Sequence, residues 1–189
     1  MATQSRDSTL SGHKLAEVHR RMGEAVGHHV VGLIGMEDIE FQHVQGIRKG
    51  PALSRKNPIA IFPLLRAGLF AGLGIWNTIP NAAFIPISPT RGEVFPNSDI
   101  KGLPNLSGMV VVVVDAVINT GSSLEPILQW VLSQNPEQVI VCSLVTPIPT
   151  AKRLAELYPL IEWIHARVST NQYVGKGGTD TGNRLFNTK

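Results

Sequence analysis

The chain has 189 residues, 43% of them hydrophobic and only 16% charged, enough apolar material for one buried core and too much for wholesale disorder. Its net charge of +3 comes with no block of like charges, an excess too weak to indicate nucleic acid but suited to a small anionic ligand. Cys142 is the single cysteine, which excludes an intrachain disulfide and a cysteine-based zinc site.

Residues 1–10 are polar, expected to be frayed, and lack the apolar core of a signal peptide. From Ser11 to about Gly32, the residues Leu15, Val18, Met22, Val26 and Val30 recur at helical spacing. Short apolar runs then alternate with helical stretches. Strands are predicted over Pro58–Leu65, Ala82–Ile87, Met109–Val114, Val139–Thr146 and Leu160–Ala166. Helices are predicted over Gly68–Thr78, Ser123–Ser133 and Thr150–Tyr158. Strands that are apolar throughout need cover on both faces, so the rhythm indicates one α/β domain around a parallel sheet. Its ligand is expected at the carboxyl ends of the strands, in the loops after Leu65, Ile87 and Val114. No apolar run is long enough to cross a bilayer, and the chain is expected to be cytoplasmic with no membrane partner. Cys142 reads as a small buried hydrophobe within Val139–Val145.

The strongest signal is the segment Met109–Ser123. Five consecutive valines, Val110 to Val114, lead into Asp115, and Asn119-Thr120-Gly121-Ser122-Ser123 then opens a helix. Small residues there let backbone N–H groups converge at the positive end of a helix, which makes a phosphate cradle. The plainer alternative is that Thr120 or Ser123 merely caps the helix. Asp115 stands too far back to be that cap, which favours the cradle.

The stretch from Asp115 to Ser123 resembles the phosphoribosyl-diphosphate (PRPP) signature of type I phosphoribosyltransferases, a hydrophobic strand ending in an acid followed by T-G. The single acid, with Ala116 after it, is most similar to the uracil phosphoribosyltransferase branch. Pro63–Leu69, PLLRAGL, resembles that family's pyrophosphate loop, and Arg91 falls where the family has a second pyrophosphate-contacting arginine. Tyr173–Thr188, YVGKGGTDTGNRLFNT, is similar to the family's C-terminal uracil-binding segment. The likeness covers residues 58–189 well and is faint before them.

The resemblance implies a mostly parallel central sheet flanked by helices, with a hood loop after Arg91. It implies Mg2+-dependent transfer of a phosphoribosyl group from PRPP to uracil, giving UMP and pyrophosphate in pyrimidine salvage. The PRPP residues would be Arg66, Arg91, Asp115, Ala116, Val117, Ile118, Asn119, Thr120, Gly121, Ser122, Ser123 and Asp180. Of these, Arg66, Asp115 and Asp180 would be catalytic, and Asp180 would reach magnesium through water. Backbone groups at Val174, Thr179, Asp180 and Thr181 would read the base. The family also implies a homodimer, for which the apolar segment Val30–Phe41 and the short loop after Arg91 are the candidate contacts. Arg66 is expected among apolar neighbours, where an unpaired charge has no structural use. Asp180 has a plainer alternative, an Asx-turn among the glycines.

Departures from the family gather at the base end. Thr179 replaces a glycine, Asn183 a carboxylate and Lys176 a proline, and the loop after Arg91 is shorter. Two readings follow: a different preferred base, or a paralogue of lost activity that senses PRPP or a nucleotide. A regulator that binds RNA would need a basic face, and Lys14, Arg20, Arg21, Arg48, Lys49, Arg55 and Lys56 are too scattered to make one. His13, His19, His28, His29 and His43 read as helix-surface and loop residues rather than metal ligands.

Overall fold

A computed structural model describes residues 1–88, 95, 102–172 and 175–188 of the chain. A long first helix, α1 (Gly12–Ile34), is followed by an antiparallel hairpin of β1 (Met36–His43) and β2 (Gly46–Leu53). The remainder alternates: β3 (Ile59–Pro63), α2 (Leu69–Thr78), β4 (Ala83–Phe84), β5 (Val110–Val117), α3 (Glu125–Ser133), β6 (Gln138–Pro147), α4 (Ile148–Leu157), β7 (Glu162–His165) and β8 (Val168–Ser169). The short α5 (Thr181–Phe186) ends the described chain. The main sheet runs β4-β3-β5-β6-β7, all neighbours parallel, with β8 added alongside β6.

The expected α/β architecture is therefore present, with helices on both faces of a parallel sheet. Alternation along β5 shows why two faces are needed. Val111 and Val113 enter a core with Leu124, Ile127 and Leu128 of the α3 side. Val110, Val112 and Val114 enter a second core with Met22, Val26 and Ile75 of α1 and α2. Cys142 is buried in that second core, as its setting suggested.

Three elements differ from expectation. The strand after Pro80 shrinks to Ala83–Phe84, because Pro86 has no N–H to give; pairing resumes beyond it, where the Leu65 N–H donates to Ile87 O at 2.8 Å. The valine strand runs three residues past its predicted end to Val117, so Asp115 lies inside the sheet, paired with Ser143. The β1–β2 hairpin was not anticipated; its signal was the alternation of Ile39 and Phe41 with charged residues, followed by the turn at Gly46, where φ is +104°. The first ten residues include a 3-10 turn at Gln4–Arg6. Among the described residues no helix is long and apolar enough to span a membrane.

Helices α1 and α2 meet through glycine. A Cβ on Gly23 would stand 2.1 Å from Ala71 O, and one on Gly74 would stand 2.0 Å from Arg20 O. Gly32, also in α1, has no heavy atom within 4 Å of such a Cβ. Gly74→Ala should therefore destabilise the protein by about 1–3 kcal/mol by pushing the helices apart. Gly32→Ala should stabilise it by about 0.5–1 kcal/mol through helix propensity alone. Urea unfolding of the two variants checks this opposition of sign.

Candidate active site

Strands β3 and β5 lie side by side and in parallel, so the loops that follow them start from the same edge of the sheet. After β5, Ile118 is buried and its N–H donates to Val145 O at 3.1 Å, while the Val117 N–H faces the Asp115 carboxylate at 3.4 Å. These two donors are used within the protein. The backbone N–H groups left open to a ligand therefore begin at Asn119. Ala116, Val117 and Ile118 belong to the strand and its exit.

From Asn119 onward the accounting changes. The carbonyl oxygen of Asn119 accepts from Thr150 Oγ1 at 2.6 Å, and that of Thr120 accepts from Arg153 Nη2 at 2.7 Å. Arg153 also pairs with Glu125 at 2.7 Å. Helix α4 thus holds the loop by its carbonyl groups. The N–H groups of Asn119, Thr120, Gly121 and Ser123 have no hydrogen-bond partner among the described residues. Gly121 has φ +86°, a conformation open to glycine and strained for other residues. No side chain caps α3, so neither Thr120 nor Ser123 does the plainer job of capping. Thr150 and Arg153 are site residues that motif reading missed. Only their spacing on α4 could have suggested them.

The carboxyl of Asp115 sits against the sheet. Burial pushes its pKa up to about 7, and the N–H groups of Val117 and Ala116 only partly offset that.

The expectation for Arg66 needs correcting: it is exposed, not enclosed by apolar neighbours. Its Nη1 donates to Thr188 Oγ1 at 2.9 Å and its Nη2 to Asn183 Oδ1 at 2.6 Å, with its guanidinium 5.7 Å from the Phe186 ring centroid. The Leu65–Arg66 peptide bond is cis. Gly68 lets this turn close, since a Cβ there would meet Val114 O at 2.4 Å. Asn183 serves at both ends of its amide, because Nδ2 also donates to Gly177 O at 2.9 Å. A carboxylate in its place could not make that last bond.

Asp180 caps α5, its Oδ1 accepting from the Asn183 N–H at 2.9 Å, so the plainer reading of that residue is realised. Thr179 and Lys176 close the preceding turn reciprocally, at 3.0 and 2.9 Å. Arg91, Val174 and most of the loop after Arg91 lie outside the described residues.

A cavity of about 550 Å³ joins the two halves of the site. Ala116, Val117 and Asn119 line it from the β5 side, and Thr179 and Thr181 line it from the C-terminal segment. Arg66, Asp115, Thr120 to Ser123 and Asp180 are not among its lining residues. His19 does line it, and is buried rather than on the helix surface as the sequence suggested. Burial, with the nearby charge of Arg184, lowers its pKa to about 4. No cluster of three or more His, Cys, Asp or Glu that could hold a metal occurs among the described residues. A bound phosphorylated substrate would itself offer oxygen ligands of the kind magnesium prefers.

A sequence model described as uracil phosphoribosyltransferase matches residues 1–188. The uracil phosphoribosyltransferase of Aquifex aeolicus is 27% identical over 188 residues, covering 96% of this chain and 90% of the relative. That of Ureaplasma parvum serovar 3 is 30% identical over 162 residues, covering 82% of this chain and 77% of the relative. The solved structure of the AQ2163 protein from Aquifex aeolicus superposes with a TM-score of 0.81 at 26% identity, covering 98% of this chain and 91% of that one. A purine phosphoribosyltransferase from Pyrococcus horikoshii, at 15% identity and TM-score 0.53, covers 82% of this chain and 84% of its own and shows likeness of fold.

Asp115 gives the ligand-free protein a pH signature. Its folded pKa is raised, so its stabilising contribution is full below about pH 4 and is lost as pH climbs to about 7. His19 acts in the opposite sense, its contribution present above about pH 6.5 and lost as pH falls to about 4. Asp115→Asn removes the first effect and leaves the second. Between pH 5 and pH 8 the wild type should lose up to about 2.7 kcal/mol relative to this variant, measured by urea unfolding at both values.

Proposed function

This chain belongs to the uracil phosphoribosyltransferase family, and on that premise we propose that it makes UMP and pyrophosphate from uracil and PRPP, in pyrimidine salvage in the cytoplasm. The observation that carries the reading is the set of four unpartnered N–H groups at Asn119, Thr120, Gly121 and Ser123, held at the end of a buried strand by Thr150 and Arg153. Such a set fits the 5-phosphate of the donor, with the hydroxyls of Thr120 and Ser122 in reserve.

In the reaction, the bond from ribose C1′ to pyrophosphate oxygen breaks, and its electron pair leaves with pyrophosphate. N1 of uracil forms the new bond to C1′ and gives up its proton to solvent. Positive charge develops on the ribose ring and negative charge on the leaving group, so catalysis rests on placement and electrostatics. Asp115 accepts from the ribose hydroxyls, which favours its ionised form once the donor is bound. Arg66, with Arg91, takes the pyrophosphate. In the free protein its two donors are occupied by Asn183 and Thr188, neutral oxygens that a pyrophosphate would replace with charged ones. Backbone groups at Val174 and from Thr179 to Thr181 read the base. Asp180 would hold a substrate-borne magnesium through water, and the ion would supply charge neutralisation for the pyrophosphate.

The β1–β2 hairpin supports a homodimer. It stands apart from the main sheet and exposes Val44 at 96% and Ile47 at 65%. The hairpin overlaps the expected segment Val30–Phe41 and extends it to Leu53, while most of the loop after Arg91 lies outside the described residues. Light scattering should give twice the chain mass, and the double variant Val44→Glu, Ile47→Glu should give the monomer with its circular dichroism unchanged.

The activity is tested by pyrophosphate release with PRPP, magnesium and uracil. Arg66→Ala should lower kcat/KM by about 100-fold, the scale for losing one donor to a developing charge. Unaltered release in that variant would remove Arg66 from the mechanism; no release from the wild type with any nitrogenous base, despite PRPP binding, would overturn the reading itself.

A further inference from the structure

The buried face of α1 carries one polar side chain. Leu15, Ala16, Met22, Gly23, Val26 and Val30 fill that face, and His19 stands among them. It is 3% exposed and lines the cavity beside the C-terminal segment. Its Nδ1 is enclosed and has no hydrogen-bond partner. No hydrogen bond to the other ring nitrogen, Nε2, is formed among the described residues either.

A buried imidazole without partners costs stability, and an apolar residue would serve the packing of this face better. The fold alone therefore does not account for His19. Burial, with the charge of Arg184 second, lowers its pKa to about 4, so at neutral pH one ring nitrogen carries a proton and the other a lone pair. An enclosed N–H without an acceptor is the costlier choice at Nδ1, which favours the proton on Nε2. The same cavity is lined by Asn119, where the open amides of the β5 loop begin, and by Thr179 and Thr181 of the C-terminal segment. A base joined to a phosphoribosyl group anchored at those amides falls within reach of this space. Uracil is neutral and brings two exocyclic carbonyl oxygens, each an acceptor for a neutral N–H donor.

We propose that His19 is a specificity-determining residue for the acceptor base, its Nε2–H donating to an exocyclic oxygen of uracil. The proposal rests on the uracil-transfer reading and adds a side chain to a base site otherwise assigned to backbone groups. Transfer leaves both oxygens on the ring, so the contact persists in the product UMP. His19 takes no part in the bonds made and broken.

The test titrates UMP and ribose 5-phosphate by calorimetry into the wild type, His19→Leu and His19→Gln, the last of which returns a side-chain N–H near the lost one. UMP affinity should fall about 10-fold in His19→Leu, the scale of one hydrogen bond, and recover to within about 3-fold in His19→Gln. Ribose 5-phosphate should bind all three alike. In turnover, KM for uracil should rise in His19→Leu by a similar factor, with KM for PRPP unchanged. In the wild type, 2-thiouracil or 4-thiouracil should fall at least about 10-fold below uracil in kcat/KM, because sulfur accepts weakly, and the gap should close in His19→Leu. If circular dichroism shows His19→Leu misfolded, the wild type still decides: the 15N resonance of His19 Nε2 should move with UMP and stay still with ribose 5-phosphate. A resonance that ignores UMP, or UMP affinity and analogue ratios unmoved in a folded His19→Leu, overturns the proposal. UMP bound through His19 with no uracil turned over upholds the contact and sinks the transferase reading. Uracil turned over with His19 indifferent does the reverse, and a wild type that neither binds UMP nor turns over uracil overturns both.

Discussion

Everything in this molecule is arranged around a strand that water cannot touch on either side. Val110 to Val114 alternate between two separate apolar cores, and all five are at most 3% exposed. Such a strand is stable only in the middle of a parallel sheet with helices on both faces. Parallel strands need crossovers, and crossovers bring every exit loop to one edge. A polar group that the strand carries at that edge is then trapped between core and loop. Asp115 is such a group, and its raised pKa records the strength of the enclosure.

The loops at that edge are held by helices that lie behind them. Thr150 and Arg153 pin two carbonyl groups of the loop after β5, which settles where its N–H groups are left over. Helix α2 can follow the loop after β3 so closely because Gly68 has no side chain to strike Val114. Glycines in α1 and α2 then let those two helices pack backbone to backbone over the second core. Rigidity thus comes from small residues where elements touch, and from long polar ones where loops are tied.

Much of this was legible in the residues themselves. Apolar runs without alternation declare a two-faced sheet, and the T-G-S-S after an acid declares a loop with spare amides. Strand ends were less legible, because a strand stops where its neighbour stops giving hydrogen bonds. Val117 stays in the ladder through Val145, and Pro86 leaves its own early. Arg66 was misjudged for a related reason: adjacent apolar letters describe the turn it sits on, while its side chain faces Asn183 and Thr188, over a hundred positions away. His19 failed in the opposite direction. Its helix is amphipathic, but the cavity it faces is closed by residues from both ends of the chain.

The cavity takes its parts unequally. Its fixed side, Ala116 to Asn119, grows out of the central strand, while Arg6, Thr179, Thr181 and Arg184 come from the first ten and last dozen residues. Those terminal segments lie outside the parallel ladder, and α5 and the 3-10 turns are short. Substitutions in them can reshape what enters the cavity without reopening the folding problem that the valine strand solved. A lineage built on this scaffold is thus free to change its diet while keeping its chemistry, and the drift should be read at the two ends of the chain rather than at its centre.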